Sequence, residues 1–234
     1  MKASLVGQTT TVEAAALATD LAEHAFAIAD DLRAQAERLL RTHADLSHLR
    51  PAVTAALGGL ISGAGVITAE RPQRLEWWMG ADPAQRTRLD LDLDPASDTF
   101  VDVGRQQWFA VPRDTGVRHV TGPYVDYVCA GQYALTFTVP ISHDGRFGGI
   151  AGADVFVADF ERALRPALRA LGSPAALVNT HGRVVAGTTA HHLAGSLIRD
   201  EQIRAALLTQ TPATVPGGVT LTPCGTLPLA VLTW

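Results

Sequence analysis

Residues 10–43 restrict the fold most, because no glycine or proline interrupts them and alanine dominates their composition. Apolar residues recur there at steps of three and four, the spacing of one face of an α-helix. These residues are Leu17, Leu21, Ala25, Ile28, Leu32, Ala36 and Leu39. The pattern predicts one long helix whose apolar face packs on the rest of the chain or, alternatively, on a second copy in a homodimer. A shorter helix is predicted over residues 46–58, with Pro51 in its first turn.

From about residue 61 the chain changes to short β-rich segments bounded by glycine, proline or aspartate. The predicted strands cover 65–69, 74–80, 117–127, 133–142 and 148–157, with a tight hairpin turn at Asp144-Gly145. A helix is predicted over 159–171, capped by Asp159. A second set follows, with two strands over 175–188 that turn at His181-Gly182, a helix over 199–209 and two closing strands.

These segments predict an α+β fold in which a long N-terminal helix carries two α/β modules with mainly antiparallel sheets. We expect an N-terminal helical region over residues 1–60, a first module over 61–172, and a smaller second module over 173–234. The length of 234 residues is sufficient for such an arrangement with a sizeable core.

Composition and motifs exclude several functional classes. The net charge is −4 and no basic block is present, so a nucleic-acid partner is not expected. The sequence contains no nucleophile elbow, phosphate loop, dinucleotide fingerprint or zinc-protease motif. Cys129 and Cys224 lie too far apart for a metal or redox motif. We therefore expect a binding protein without catalytic activity, cofactor or metal.

Aromatic pairs and isolated acids supply the candidate binding residues. Trp77-Trp78 and Trp108-Phe109 are interpreted as strand positions, so that the two members of each pair point to opposite faces and one of them faces the core. The other member either lines a small-molecule site or belongs to ordinary core packing. Asp154 lies in an otherwise apolar strand, where a lone carboxylate is costly to bury. Its partner is either a group of the protein, such as an arginine or backbone amides, or a cationic ligand. Asp126 lies in the tyrosine-rich stretch 122–141. Its partner is likewise either a group of the protein or a cationic ligand.

Residues 108–164 resemble the core of a Cache sensor domain. The resemblance rests on Trp108-Phe109, Pro123-Tyr124, the Thr136 to Pro140 strand, Asp144-Gly145 and the Gly152 to Asp154 segment, which occur in the family's order. Residues 176–198 are similar to the second module of the double-Cache form. The resemblance implies a receptor fold in which a long helix carries two PAS-like modules and the first module holds the ligand.

The resemblance also implies the ligand contacts. In amino-acid-binding relatives the strand aspartate holds the α-amine, and an arginine two residues before the tryptophan holds the carboxylate. Gln106 stands at that arginine position here. The ligand is then an amine without a carboxylate, or its carboxylate is held by Arg118 or His119. The complete set of expected ligand-binding residues is Trp78, Gln106, Trp108, Phe109, Arg118, Tyr124, Asp126, Tyr133 and Asp154.

These observations lead to a small-molecule sensor for an amine, an amino-acid-like metabolite or a small carboxylate. It would pass its signal to a separate signalling or transcriptional partner. A free-standing cytoplasmic protein is expected ahead of an extracytoplasmic domain separated from its membrane helices. Two alternatives remain at this point. One is a hydrolase that uses Asp126 or Asp154 with His119, and the other is a helical dimerisation module.

Overall fold

The structure is a computed structural model that describes residues 2–126 and 131–234, with side chains described from Thr11 onward. Tyr127 and Cys129, which belong to the tyrosine-rich stretch, lie outside the described residues. The helices and strands confirm an α+β architecture with a long N-terminal helix and two antiparallel sheets.

Five α-helices are present in the described residues. They are α1 Lys2–Arg41, α2 Arg50–Ala56, α3 Gln107–Thr115, α4 Val157–Ala170 and α5 Glu201–Thr209. Short 3-10 turns cover Leu46–Leu49, Pro83–Gln85 and Val103–Arg105. Pro51 lies in the first turn of α2 as predicted.

Two local predictions about helices are wrong. Residues 107–115 form α3 rather than a strand, and this helix ends because Gly116 adopts a left-handed conformation with φ 70°. Asp159 does not cap α4, because the helix already begins at Val157 after Phe156. Asp159 lies in the first turn instead and forms an ion pair with Arg162.

The strands form two separate antiparallel sheets. The first sheet consists of β1 Gly63–Thr68, β2 Leu75–Met79, β3 Thr87–Arg88, β4 His119–Asp126, β5 Gln132–His143 and β6 Arg146–Phe156, in the order β3-β2-β1-β6-β5-β4. The second sheet consists of β7 Ala175–Asn179, β8 Val184–Gly187, β9 Ala213–Thr214, β10 Thr220–Pro223 and β11 Leu229–Thr233, in the order β8-β7-β11-β10-β9. The predicted domain boundaries at residues 60 and 172 stay predictions.

Helix α1 packs against both sheets through a row of small residues. The fully buried positions follow helical spacing but are mainly alanines rather than the predicted leucines: Ala14, Ala18, Ala22, Ala25, Ala29, Leu32, Ala36 and Leu40. Leu17, Leu21, Ile28 and Leu39 flank this row and are only partly buried. Alanine lets the helix backbone approach β1, β5, β6, β10 and β11 closely.

The predicted homodimer through α1 stays a prediction. The face that carries the row of alanines is used within the chain, because it belongs to the same buried cluster as Phe137 of β5 and Val231 of β11. Phe26 contributes directly to this packing through an edge-to-face contact with Phe137 at 5.3 Å between ring centroids.

We expect Ala25→Leu to destabilise the protein by about 1–3 kcal/mol, because additional methyl groups must enter a filled interface. Urea unfolding followed by circular dichroism measures the change. Ala27→Leu is the matched control, since Ala27 is exposed on the same helical turn. Equal stability of the two variants would contradict the described packing of α1.

Candidate functional site

A cavity of about 220 Å³ lies on the face of the first sheet opposite α1. Its sheet wall is formed by Ile67, Trp77, Tyr124, Val125, Asp126, Thr136 and Asp154. Leu89, Leu91 and Val101 from the segment before α3, together with Gln106 and Trp108 at the start of α3, complete the lining. The cavity therefore combines aromatic and aliphatic surface with a few polar groups, which is the usual composition of a small-molecule site.

Asp154 of β6 is the central polar group of this cavity. Thr136 donates to its Oδ1 at 2.7 Å, and the indole N–H of Trp77 donates to its Oδ2 at 3.0 Å. The hydroxyls of Tyr124 and Thr136 lie 2.8 Å apart and extend this network. Within the described part of the chain, no arginine, lysine or histidine forms an ion pair with Asp154. An ionised carboxylate accepts more than two hydrogen bonds, so Asp154 retains acceptor capacity.

Glycines in β1 and β6 create the space for this network. A Cβ atom at Gly63 would lie 2.6 Å from Asp154 Oδ2, and one at Gly152 would lie 2.9 Å from the Trp77 ring. A Cβ atom at Gly65 would lie 2.5 Å from the Trp77 backbone. Because real Cβ atoms do not approach that closely, glycine at these positions allows Trp77 to lie across the sheet and reach Asp154.

Burial raises the pKa of Asp154 to about 7. The hydrogen bond from Thr136 opposes this rise, the charge of Asp126 adds to it, and the hydrogen bond from Trp77 opposes it. The Asp154 carboxyl therefore changes its charge near neutral pH, and a cation placed in the cavity would favour the ionised form.

The fold is shared with solved sensory domains. The extracellular domain of the proposed histidine kinase mmHK1S-Z3 is 13% identical, with a TM-score of 0.72 over 98% of this chain and 92% of that one. The ligand-binding domain of the Pseudomonas aeruginosa PAO1 amino acid chemoreceptor PctC, in complex with GABA, is 18% identical, with a TM-score of 0.63 over 97% and 98%. The periplasmic sensory domain of the Campylobacter jejuni chemoreceptor Tlp1 is 10% identical, with a TM-score of 0.70 over 98% and 93%.

The chain has the double-Cache fold. This confirms the resemblance seen in residues 108–164 and 176–198. No protein-family model matches the sequence, and no curated protein matches it by sequence comparison.

The prediction of a free-standing cytoplasmic protein is wrong, because the double-Cache domains that this chain resembles are extracellular or periplasmic. Among the described residues, no helix has the length and apolarity needed to cross a bilayer. The described residues also contain no cluster of three or more His, Cys, Asp or Glu side chains able to hold a metal ion.

Five of the sequence-predicted binding residues line the cavity together: Gln106, Trp108, Tyr124, Asp126 and Asp154. The structure places the other four elsewhere. Trp78 lies next to Glu76 and under the Arg50 guanidinium. Phe109 is buried behind the cavity wall against Phe147.

Arg118 and Tyr133 also lie outside the cavity. Arg118 is on the α1 side of the molecule, where it forms a bidentate ion pair with Glu23 at 2.6 and 2.7 Å and covers the ring of Phe26. Tyr133 is 43% exposed and packs next to Gly195. Arg118 is therefore not positioned to hold a ligand carboxylate in this cavity.

Sequence reasoning missed Trp77, Thr136 and the leucines of the covering segment. Trp77 shares a strand face with Leu75 and Met79, so the alternation in β2 indicates which way the Trp77 side chain points. It does not indicate the contact with Asp154. The segment "RLDLDLD", residues 88–94, alternates leucine with charged residues. Its leucines Leu89, Leu91 and Leu93 pack inward, which is the burial pattern that such alternation predicts.

We expect the thermal stability of Asp154→Asn to exceed that of the wild type at about pH 8. The native carboxyl holds its proton more tightly than the unfolded one, so its stabilising contribution is lost as pH rises through about 7. The difference in Tm between wild type and variant should shrink toward about pH 5.

Asp98→Asn, an identical change at an exposed aspartate, is the control. Differential scanning fluorimetry without ligand across this pH range measures both variants. A Tm difference between Asp154→Asn and wild type that does not vary with pH would contradict a neutral-range pKa for Asp154.

Proposed function

We propose that this double-Cache chain is a sensory ligand-binding domain whose first-sheet cavity binds a small organic amine as a cation. The observation that supports this most directly is the buried Asp154 carboxylate, which opens into the cavity with no cationic side chain among the described residues that line it. A protonated amine would supply the missing positive charge and use the remaining acceptor capacity.

The other lining groups favour the same ligand class. Asp126 lies in the same cavity and makes its electrostatic potential more negative. Trp77, Trp108 and Tyr124 present aromatic surface, and aromatic faces attract ammonium groups. Leu89 and Leu91 offer aliphatic surface for the carbon skeleton of the ligand. The volume of about 220 Å³ fits a ligand of only a few heavy atoms.

We further propose that a net positive charge distinguishes the preferred ligand from ordinary α-amino acids. Gln106, where the family resemblance places an arginine, lines the cavity but is neutral. Arg118 is held by Glu23, and His119 lines a neighbouring cleft instead of this cavity. PctC, a structural neighbour, was solved with GABA, whose amine is not attached to an α-carbon. A ligand with an amine and no carboxylate, unlike GABA, presents its ammonium group to Asp154 and requires no cationic side chain to bind a carboxylate.

The packing of α1 supports one route for the signal. Val155 on β6, next to Asp154, packs in the same buried cluster as the alanine row of α1. This helix also contacts β10 and β11 of the second sheet. We propose that ligand binding in a first module of residues 61–172 alters the packing of β6 on α1, and that a separate signalling protein responds to this change.

The hydrolase alternative receives less support. Asp126 and Asp154 share the cavity, but His119 lies in the other cleft, so the Asp–His pair of this alternative is not assembled. The structural neighbours from PctC and Tlp1 are also named as a ligand-binding domain and a sensory domain. A role limited to dimerisation does not account for the polar network around Asp154.

We expect putrescine and 4-aminobutanamide to bind more tightly than GABA, and L-glutamine to bind most weakly, when measured by isothermal titration calorimetry. Asp154→Asn should weaken binding of the amines at least about tenfold, because it removes a charge-assisted hydrogen bond. Asp98→Asn should leave the affinity unchanged. Tighter binding of L-glutamine than of the amines, or full affinity in Asp154→Asn, would contradict the proposal.

A further inference from the structure

A second cavity, separate from the amine site, lies between the two sheets. This inter-sheet cleft has a volume of about 310 Å³. One wall comes from β4 and the start of α3, and the other from the β7–β8 turn and the start of β11. Among the described residues, Tyr124 alone lines both this cleft and the amine cavity. The cleft therefore presents its own set of side chains to a ligand.

The titratable and charged side chains that line this cleft are His119, His181 and Arg183. No aspartate or glutamate is among the described residues that line it. His119 comes from β4 and is half-buried, whereas His181 and Arg183 come from the β7–β8 turn and are exposed. Three basic groups from two different sheets thus line one cavity, and none of the described lining residues is a carboxylate that could balance them. The Arg183 guanidinium already donates through Nη1 to the Gly195 carbonyl at 2.9 Å, so only its remaining N–H groups are available to a ligand.

Hydrogen bonds hold the two walls of the cleft in place. Asn179 Nδ2 donates to the Gly122 carbonyl at 2.7 Å and so joins the β7–β8 turn to β4. The Asn179 Oδ1 accepts from the backbone N–H groups of His181 at 3.0 Å and Arg183 at 2.9 Å. One buried asparagine therefore sets the position of both basic residues of the turn relative to His119. This is the preorganisation that a binding site needs.

Two further features of the cleft favour a ligand with acceptor oxygens. Thr121 lines it, and the buried hydroxyl of Thr121 has no hydrogen-bond partner within residues 11–126 and 131–234. Buried hydroxyls normally have a partner, so this hydroxyl is free to donate to a ligand in the cleft. Gln107 also lines the cleft from the first turn of the nine-residue helix α3, whose N-terminus carries partial positive charge.

We propose that the inter-sheet cleft is a second ligand site, which binds a small carboxylate anion through His119, His181 and Arg183. Such an anion would bridge β4 and the β7–β8 turn and neutralise basic groups that face each other across the cleft. It would also contact both sheets directly, so it would favour one relative placement of them. The site is independent of Asp154 and of the amine proposed above.

The charge state of the imidazoles makes this binding dependent on pH. Burial lowers the pKa of His119, and the positive charge of His181 lowers it further. The bound anion reverses part of this effect, because it stabilises both imidazolium ions. His119, His181 and Arg183 are the charged groups that line the cleft, so affinity for the anion rises as pH falls through the histidine range.

The test uses succinate as the probe and the full chain as the protein, with isothermal titration calorimetry at about pH 6 and about pH 8. Binding should be at least about tenfold tighter at the lower pH. The double variant His181→Gln with Arg183→Gln should weaken binding about tenfold or more, since it removes two charged donors at exposed positions. Arg199→Gln, an exposed arginine outside the cleft, is the control and should retain full affinity.

Two additional measurements decide the assignment. Imidazole 15N resonances of His119 and His181 should shift on addition of succinate, and the lowered pKa of His119 should rise. Asp154→Asn should bind succinate with wild-type affinity, so loss of amine binding and loss of anion binding are separable. The proposal would be overturned if succinate did not bind, or if Arg199→Gln weakened binding as much as the double variant does. It would also be overturned if Zn²⁺ raised the Tm of the protein and succinate did not.

Discussion

The site depends on one buried carboxylate, Asp154, which accepts two side-chain hydrogen bonds from the described part of the chain. Thr136 and Trp77 hold Asp154 in position, yet they do not provide the positive charge that would fully offset its removal from water. The carboxyl therefore lies near the balance between its neutral and ionised forms, with a pKa of about 7. A bound ligand with a positive charge would favour the ionised form of Asp154 and would thereby stabilise the folded protein.

The packing of both faces of the first sheet places that carboxylate at the cavity wall. Close packing of alanines from α1 on the opposite face of β5 and β6 fixes the sheet, while Gly63 and Gly152 leave space on the cavity side for Asp154 and Trp77. The α1 face of these strands thus requires close packing, whereas the cavity face requires open space. Alternation along a strand satisfies both, since neighbouring residues point to opposite faces.

Local sequence patterns predicted most of the architecture. Unbroken helical spacing identified α1, and the Asp144-Gly145 turn identified the β5–β6 hairpin. The strand interpretation of Trp108-Phe109 failed because a run of apolar residues has no unique period, and the helix is set by its end at Gly116. In the site, Asp154 was evident as a lone acid in an apolar strand. The Trp77 contact was not, because it depends on register between β1, β2 and β6, which a single sequence does not contain.

The charge of Asp154 in the native protein is the quantity on which the proposed sensing mechanism depends. Carboxyl 13C NMR of the Asp154 side chain, followed against pH with and without putrescine, measures it directly. We expect a midpoint at about 7 in the free protein and a clearly lower midpoint when putrescine is bound. A midpoint near the ordinary aspartate value in the free protein, unchanged by putrescine, would contradict the account.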